Sequence, residues 1–102
     1  METLKLTAAA ARDLSNIYRH GFERFGKIQA DRYYDMLMET LDVIAANPRI
    51  ARERTEISPP VRIHPFVAHI IIYESIELGA IILRVRHRRE DWLASLFEAG
   101  TP

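Results

Sequence analysis

Residues 67–87, VAHIIIYESIELGAIILRVRH, carry the strongest structural pattern in this chain. Val67 to Tyr73 is a nearly continuous apolar run rich in β-branched residues, which is typical of a central strand. Glu77 to Gly79 predicts a turn. Ala80 to His87 then predicts a further strand. These runs therefore indicate that a β-sheet lies at the centre of the fold.

The last of these strands has two faces of different character. Alternation places mostly apolar side chains on one face, namely Ile81, Leu83, Val85 and His87. The other face is mostly arginine and consists of Ile82, Arg84, Arg86 and Arg88. The charged run continues to Asp91, so the end of this strand concentrates positive charge. It is either a surface strand end paired with carboxylates or a site for an anion or a partner.

The segments on either side complete the sheet and its cover. Val61 to His64 predicts another strand, which is ended by Pro65. Residues 49–60 are polar and end in two prolines, so they predict a loop with one ordered turn. Glu90 to Phe97 predicts a short helix, in which Trp92 is expected to be a core residue.

The first half of the chain predicts a strand and two helices. Leu4 to Leu6 alternates as an edge strand does, and Thr7 is a suitable N-cap for the helix that follows. Apolar residues then recur at steps of three and four until Gly26, which ends the helix. The same spacing returns from Ala30 to Ala45, and Asn47-Pro48 ends the second helix. Two amphipathic helices with so short a connection form an antiparallel hairpin.

The order of elements predicts an α+β fold. It consists of an N-terminal edge strand, an antiparallel helical hairpin packed on one face of a curled antiparallel β-sheet, and a short C-terminal helix. With 102 residues, the chain has room for one hydrophobic core. Residues 1–102 are therefore expected to form a single domain.

The balanced charge argues against one class of function, and the lack of cysteine excludes others. Fourteen basic residues balance fourteen acidic residues, whereas a protein that grips nucleic-acid backbone carries a positive excess. The absence of cysteine excludes disulfides, thiolate catalysis and cysteine zinc sites. No apolar run is long enough to span a membrane, and the N-terminal residues do not form a secretory signal. A cytoplasmic protein is therefore expected.

Motifs for catalysis and for metal binding are sparse. The four glycines are isolated, so there is no phosphate-binding loop and no cofactor is expected. His64 and His69 could approach each other across a strand pair, but no further metal ligand is evident. Asp35 and Glu39 belong to an acidic strip on the second helix. That strip is either a solvated face or a docking site for a basic partner.

Seven short motifs follow one another through most of the chain. They are LKLT (4–7), ARDLSNIY (11–18), FGKIQADRY (25–33), NP (47–48), VR (61–62), HIIIY (69–73) and ILRVRHRRED (82–91). In their order and spacing the chain resembles the ParE toxins of bacterial toxin–antitoxin modules, within the RelE/ParE superfamily. The fold of that family, a helical hairpin on a curled antiparallel sheet, agrees with the fold predicted from the residues.

The resemblance implies a small toxin that inhibits growth by binding and not by catalysis. Toxins of the ParE type poison DNA gyrase, and a ParD-like antitoxin neutralises them. Such an antitoxin combines a ribbon-helix-helix DNA-binding half with a tail that folds onto the toxin. The toxin is therefore expected to reach operator DNA only through its antitoxin.

Two surfaces are expected to carry this function. The basic strand end is expected to contact the target through Arg62, Arg84, His87, Arg88 and Arg89. The helical hairpin is expected to bind the antitoxin through Tyr18, Phe22, Tyr33, Asp35 and Glu39, since an amphipathic groove suits a docked helix.

Two other functions stay open at this level. RelE-like members of the superfamily are ribosome-dependent mRNA endonucleases, which need a base, phosphate clamps and an acid. The candidates for these groups are Glu53 or Glu56 as base, Arg62 and Arg84 as clamps and His87 as acid. The balanced charge, the scarcity of lysine and the lack of a tyrosine after Tyr73 argue against this function. The other alternative is a non-toxic co-repressor that only binds an antitoxin.

Overall fold

The computed structural model describes residues 2–94, which adopt the predicted α+β fold. The elements are β1 (Thr3–Leu6), α1 (Ala8–Phe25), α2 (Lys27–Ala46), a 3-10 turn (Pro48–Ile50), β2 (Glu53–Arg54), β3 (Val61–Phe66), β4 (His69–Ile76) and β5 (Gly79–His87). The strands form one sheet in the order β1-β5-β4-β3-β2. The segment predicted as a loop thus contains the short strand β2.

The helical hairpin follows from local signals in the sequence. The Thr7 hydroxyl accepts a hydrogen bond from the Ala10 N–H (3.0 Å) and so caps α1. The same hydroxyl donates to the Leu83 carbonyl (2.7 Å), which fixes the start of α1 against β5. Gly26 alone separates the two helices, with a φ of 85° that favours glycine. α2 ends at Ala46, directly before the predicted stop.

One strand pairing differs from the prediction. β1 runs parallel to β5, from Thr3 beside Gly79 to Leu6 beside Ile82, so the sheet is mixed and not wholly antiparallel. The other pairs are antiparallel. The alternation that predicts a strand is the same beside a parallel and beside an antiparallel neighbour, so it did not reveal the direction of β1.

A β-bulge overturns the predicted alternation of β5. The pairing register shifts between Ile72 and Tyr73 of β4, so that Leu83 of β5 is an extra residue. Ile82 and Val85 consequently pack together under the helices, whereas Leu83 packs on the opposite face of the sheet. The prediction that Val85 shares a face with Leu83 was wrong, because strict alternation does not reveal an inserted residue.

The turn between β3 and β4 also lies later than predicted. β3 continues through Pro65, which pairs with Ile70, and Val67 and Ala68 form the turn. β2 pairs only with the first two residues of β3, so no described strand lies beside Pro65 on that side. The missing N–H of proline costs no ladder hydrogen bond there, and the strand continues past it.

The apolar core lies on both faces of the sheet. The larger cluster fills the space between the hairpin and the sheet and contains the fully buried Leu37 and Tyr73. The smaller cluster lies on the opposite face around Ile72, and Trp92 packs against it, as predicted for a core residue.

A C-terminal helix is predicted from Glu90 to Phe97, and residues 92–94 are helical. Leu96 and Phe97, which were expected to continue the helix, lie outside the described residues. No helix within residues 2–94 is both long and apolar enough to cross a membrane.

Candidate functional site: a groove beside a basic tip

A groove of about 1150 Å³ lies between the helical hairpin and the ends of β4 and β5. We call it the hairpin groove. α1 contributes Ile17 and Arg24, α2 contributes Tyr33, and the sheet contributes His69 and His87. The groove therefore combines apolar and aromatic walls with basic groups, which suits a polypeptide with both apolar and acidic side chains.

Tyr33, His69 and His87 form a contiguous cluster at the sheet side of the groove. The Tyr33 hydroxyl and His69 Nδ1 share a hydrogen bond of 2.7 Å, and the rings of His69 and His87 meet edge to face at 5.5 Å. Burial, and secondly the neighbouring His87, lower the pKa of His69, although the Glu90 and Asp13 carboxylates oppose this. Since burial also raises the pKa of Tyr33, the neutral forms of both side chains are favoured.

A buried carboxylate joins α1 to the end of β5. Asp13 is 5% exposed and accepts two hydrogen bonds from Arg84, at 2.8 Å from Nε and 3.0 Å from Nη2. Its Oδ2 also accepts the Val85 N–H (3.0 Å), and its Oδ1 accepts from Arg86 Nη1 (3.0 Å). A buried charge with this many donors is compensated, and it holds the helix on the strand.

Carboxylates accept the outward backbone N–H groups of β5 after the point where its pairing with β1 ends. β1 pairs only as far as Ile82, so within residues 2–94 no strand lies on that side of the residues that follow. The Val85 N–H donates to Asp13, and the His87 N–H donates to Glu90 Oε1 (2.8 Å). Edge groups that are satisfied in this way do not offer a template for strand addition.

Glu90 also fixes the chain immediately after β5. Its Oε2 accepts from Arg86 Nη2 (2.5 Å), and its backbone N–H donates to the His87 carbonyl (3.2 Å). Burial by itself would raise the pKa of Glu90, but the donors from Arg86 and from the His87 backbone outweigh it and lower the pKa. The turn that follows His87 is thus held by a charged carboxylate.

Three of the predicted target residues lie together and exposed at the end of β5. They are His87, Arg88 and Arg89, which we call the basic tip. Arg88 Nη1 donates to the Val67 carbonyl (2.8 Å), and its backbone N–H donates to the Ala68 carbonyl (3.0 Å). The Arg89 N–H donates to His87 Nδ1 (3.2 Å). The backbone of the tip is therefore held by hydrogen bonds, while its side chains are exposed.

The other two predicted target residues lie elsewhere. The Arg84 side chain is only 11% exposed and is held by Asp13, so its first role is in the fold. Arg62 lies near the start of β3, in register with Tyr73, and its Nη1 donates to the Ala51 carbonyl (2.6 Å). The structure brings neither side chain to the basic tip. Their contact with a target stays a prediction.

The predicted antitoxin residues divide into two groups. Tyr18 and Tyr33 line the hairpin groove. Phe22 is 47% exposed and packs beside Tyr18, with ring centroids 6.3 Å apart. Asp35 and Glu39 are exposed on α2 and are not part of the groove lining. The aromatic residues thus lie at or beside one surface, and the acidic residues form another.

The candidate groups for RNA cleavage are not gathered in one place. Glu53 lies on β2 and pairs with Arg62, at the edge of the sheet opposite β1. Glu56 follows β2 and forms ion pairs with Arg52 (3.5 Å) and Arg54 (3.7 Å). β3 and β4 separate these residues from β5, which carries His87.

The predicted approach of His64 to His69 does not form the basis of a metal site. His64 lies opposite Ile71, whereas His69 lies opposite both Phe66 and His87. Within residues 2–94, no three His, Asp or Glu side chains are arranged so that they could hold a metal ion.

Sequence reasoning missed three features of this site, which are the buried role of Asp13, the contact between Tyr33 and His69, and the turn at Val67. For Asp13 a signal was present. The residue lies three positions after Ala10 and four before Ile17, within the apolar stripe of α1. A carboxylate in such a stripe requires cationic partners, and arginine is the cation that the chain offers most often.

Comparisons with known proteins bear on the family and the fold of this chain. Residues 4–92 match the family model described as "ParE toxin of type II toxin-antitoxin system, parDE". Toxin ParE1 from two strains of Mycobacterium tuberculosis is 37% identical over 87 residues, which is 84% of this chain and 89% of the relative. A solved structure titled "Chromosomal ParDE TA system from P. aeruginosa" shares the fold, with a TM-score of 0.72 and 24% identity over 85% of this chain and 96% of the other. The chain belongs to the ParE toxin family of type II toxin–antitoxin systems.

Proposed function

We propose that this protein is a cytoplasmic toxin that inhibits DNA gyrase by binding it, and that a ParD-like antitoxin neutralises it. Membership of the ParE family supports the role as a toxin. The basic tip is the observation that carries it, because Arg88 and Arg89 present their guanidinium groups to solvent beside His87, on a backbone that is held by hydrogen bonds. Preorganised cations of this kind serve a binding partner better than flexible ones.

The proposed mode of action is binding without catalysis. The chain has no net charge, so the basic tip is a local feature on a neutral protein. A local patch of this kind favours one complementary surface on a protein over extended contact with nucleic-acid backbone. Operator DNA is therefore contacted through the ribbon-helix-helix half of the antitoxin and not by the toxin.

The hairpin groove is the proposed site for the antitoxin tail. Arg19, Arg24 and Arg32 rim the groove, and Ile17 and Phe25 add apolar surface. An acidic amphipathic segment complements both features, since its apolar face can dock on the hairpin while its carboxylates meet the rim. The P. aeruginosa structure is titled as a ParDE system, which supports a complex of toxin and antitoxin for this chain also.

Gyrase inhibition by purified protein tests the toxin proposal. Arg89→Ala is expected to weaken inhibition of supercoiling about tenfold, because one exposed cation of the tip is lost. Its melting temperature should stay nearly constant, because surface substitutions away from structural contacts change stability by about 0.5 kcal/mol or less. Arg12→Ala is the matched control, since Arg12 is an exposed arginine on α1 and does not line the groove. Supercoiling that the parent protein leaves unchanged at large excess refutes gyrase as the target.

Calorimetric titration of the purified toxin with a separately purified ParD-like antitoxin tests the groove. Phe25→Ser is expected to weaken binding about tenfold, because a side chain that is 66% exposed and lines the groove is removed. Ile28→Ser is the control, because Ile28, near the start of α2, is 70% exposed but does not line the groove. Loss of affinity on Asp35→Lys with no effect of Phe25→Ser would move the antitoxin to the acidic face of α2.

A further inference from the structure

The turn between β3 and β4 holds a valine in a conformation that valine avoids. Val67 has a φ of 51°, in the left-handed region, and its side chain is 60% exposed. A branched Cβ makes this region unfavourable, and glycine, asparagine or aspartate usually occupies it in a two-residue hairpin turn. Neither burial nor turn chemistry therefore accounts for valine at this position.

Neighbouring residues keep the turn from relaxing. The Arg88 guanidinium donates to the carbonyl of Val67, and the Arg88 backbone N–H donates to the carbonyl of Ala68. On the inner side, Phe66 is buried and its ring packs edge to face on Tyr33 at 5.2 Å. Strained residues persist where surrounding contacts determine their conformation in this way, and they concentrate at functional sites.

These contacts place an apolar side chain beside the basic tip. His69, the first residue after the turn, pairs with His87 of β5, so Val67 and Ala68 lie just beyond the end of that pairing, next to Arg88. Val67 together with His87, Arg88 and Arg89 forms what we call the tip surface. An apolar anchor bordered by cations is the composition expected at the centre of a protein–protein contact.

A second strained turn in the same chain provides a comparison. Leu78, in the turn between β4 and β5, has a φ of 65° and is 71% exposed. It lies at the other end of β4, where Glu77 precedes it and Gly79 follows. The two turns are thus matched in backbone strain and in apolar exposure. They differ in that Arg88 of the basic tip adjoins Val67.

We infer that Val67 is the apolar anchor of the target-binding surface, and that its partner is a protein surface with an apolar depression bordered by carboxylates. The inference rests on the proposed function, in which the basic tip contacts a target. A nucleic acid is the less suitable partner, because phosphates pair with arginine but offer nothing to an aliphatic side chain. An acidic protein surface satisfies the cations and the valine together.

The test uses substitutions that the left-handed backbone accepts. Val67→Asn should preserve or raise the melting temperature, because asparagine tolerates this region. It should weaken gyrase inhibition by the purified full chain at least tenfold, because the apolar anchor is lost. Leu78→Asn should have the same effect on melting temperature and leave inhibition unchanged. Val67→Ile should retain most of the inhibition, since it keeps a branched apolar side chain at the same place.

Inhibition by Val67→Asn that equals that of the parent chain overturns the inference. A parent chain that does not inhibit gyrase refutes the proposed target, and growth arrest on induced expression then becomes the readout. If Val67→Asn abolishes the arrest and Leu78→Asn retains it, the tip surface binds a protein target other than gyrase. Arrest that both variants retain overturns the inference.

Discussion

Removal of the Asp13 carboxylate is expected to destabilise this protein more than removal of any exposed charge would. The side chains of Asp13 and Arg84 are 5% and 11% exposed, and Arg86, which shares the carboxylate, is 26% exposed. Asp13→Ala leaves the Arg84 guanidinium in the interior without this partner, and removes the acceptor of the Val85 N–H. The helix α1 would also lose one of its polar attachments to β5, while the bond from Thr7 to Leu83 remains.

The size of the effect follows from burial. Loss of one partner from a buried ion pair costs about 3–5 kcal/mol, because the remaining charge is uncompensated. A chain of this length has a total unfolding free energy of about 5–15 kcal/mol. Asp13→Ala should therefore remove a large part of the stability. At a urea slope of about 1.5 kcal/mol per molar, a loss of 3 kcal/mol lowers the unfolding midpoint by about 2 M.

Urea unfolding followed by circular dichroism measures this loss. Asp31→Ala is the matched control, because its carboxylate is 39% exposed and pairs with Lys27, which is 71% exposed, at 2.6 Å. Exposed pairs contribute about 1 kcal/mol or less. Asp13→Leu combined with Arg84→Met should recover stability relative to Asp13→Leu alone, because it removes the buried guanidinium that Asp13 compensates in the parent chain. A midpoint for Asp13→Ala no lower than that of Asp31→Ala would refute the reasoning.

Three further predictions test other parts of the fold. Because burial, and then the nearby His87, lower the pKa of His69 below its ordinary value of 6.5, the fold favours the neutral imidazole. The stability that this contributes is complete above that value and falls as the pH decreases, so His69→Gln should flatten the loss of unfolding free energy between about pH 7 and pH 5. Gly79→Ala should lower the free energy of unfolding by about 3 kcal/mol or more, because the added Cβ would overlap a backbone carbonyl of β1. Gly21→Ala should raise it by about 0.5–1 kcal/mol, because there the added Cβ has no neighbour closer than 3.8 Å. Thermal unfolding measures both changes. Tyr73→Phe should lower the free energy of unfolding by about 1–3 kcal/mol, because the buried hydroxyl donates to the Pro48 carbonyl (2.7 Å) and accepts from the Ala51 N–H (3.3 Å). An unchanged midpoint in urea would show that water replaces both bonds.

The candidate site was predictable where its residues are neighbours in the chain. His87, Arg88 and Arg89 follow one another, so their clustering at the strand end required no knowledge of packing. Arg84 belongs to the same charged run but turns inward. Its direction depends on the bulge at Leu83 and on a carboxylate from another element. Charge density along the chain therefore located the surface but did not distinguish its free cations from its paired ones.

Val67 shows the corresponding limit for turns. Pro65 is a stronger turn signal than Val67 by propensity, so the sequence placed the break two residues early. The position of the turn is set by the pairing of β3 with β4, in which Phe66 lies opposite His69 and packs on Tyr33. Contacts from α2 and from Arg88 hold valine where local preference would place glycine.

Local patterning was enough to specify the helices, their caps, the three principal strands and the α+β class, because periodicity and capping act over a few residues. Tertiary contacts decided the rest, including the parallel direction of β1, the bulge in β5 and the separation of free from buried arginines. The contact between Asp13 and Arg84 joins residues 71 positions apart. Which of the many arginines meets the one buried carboxylate of the described core depends on how α1 crosses β5, and no short stretch of sequence contains that information.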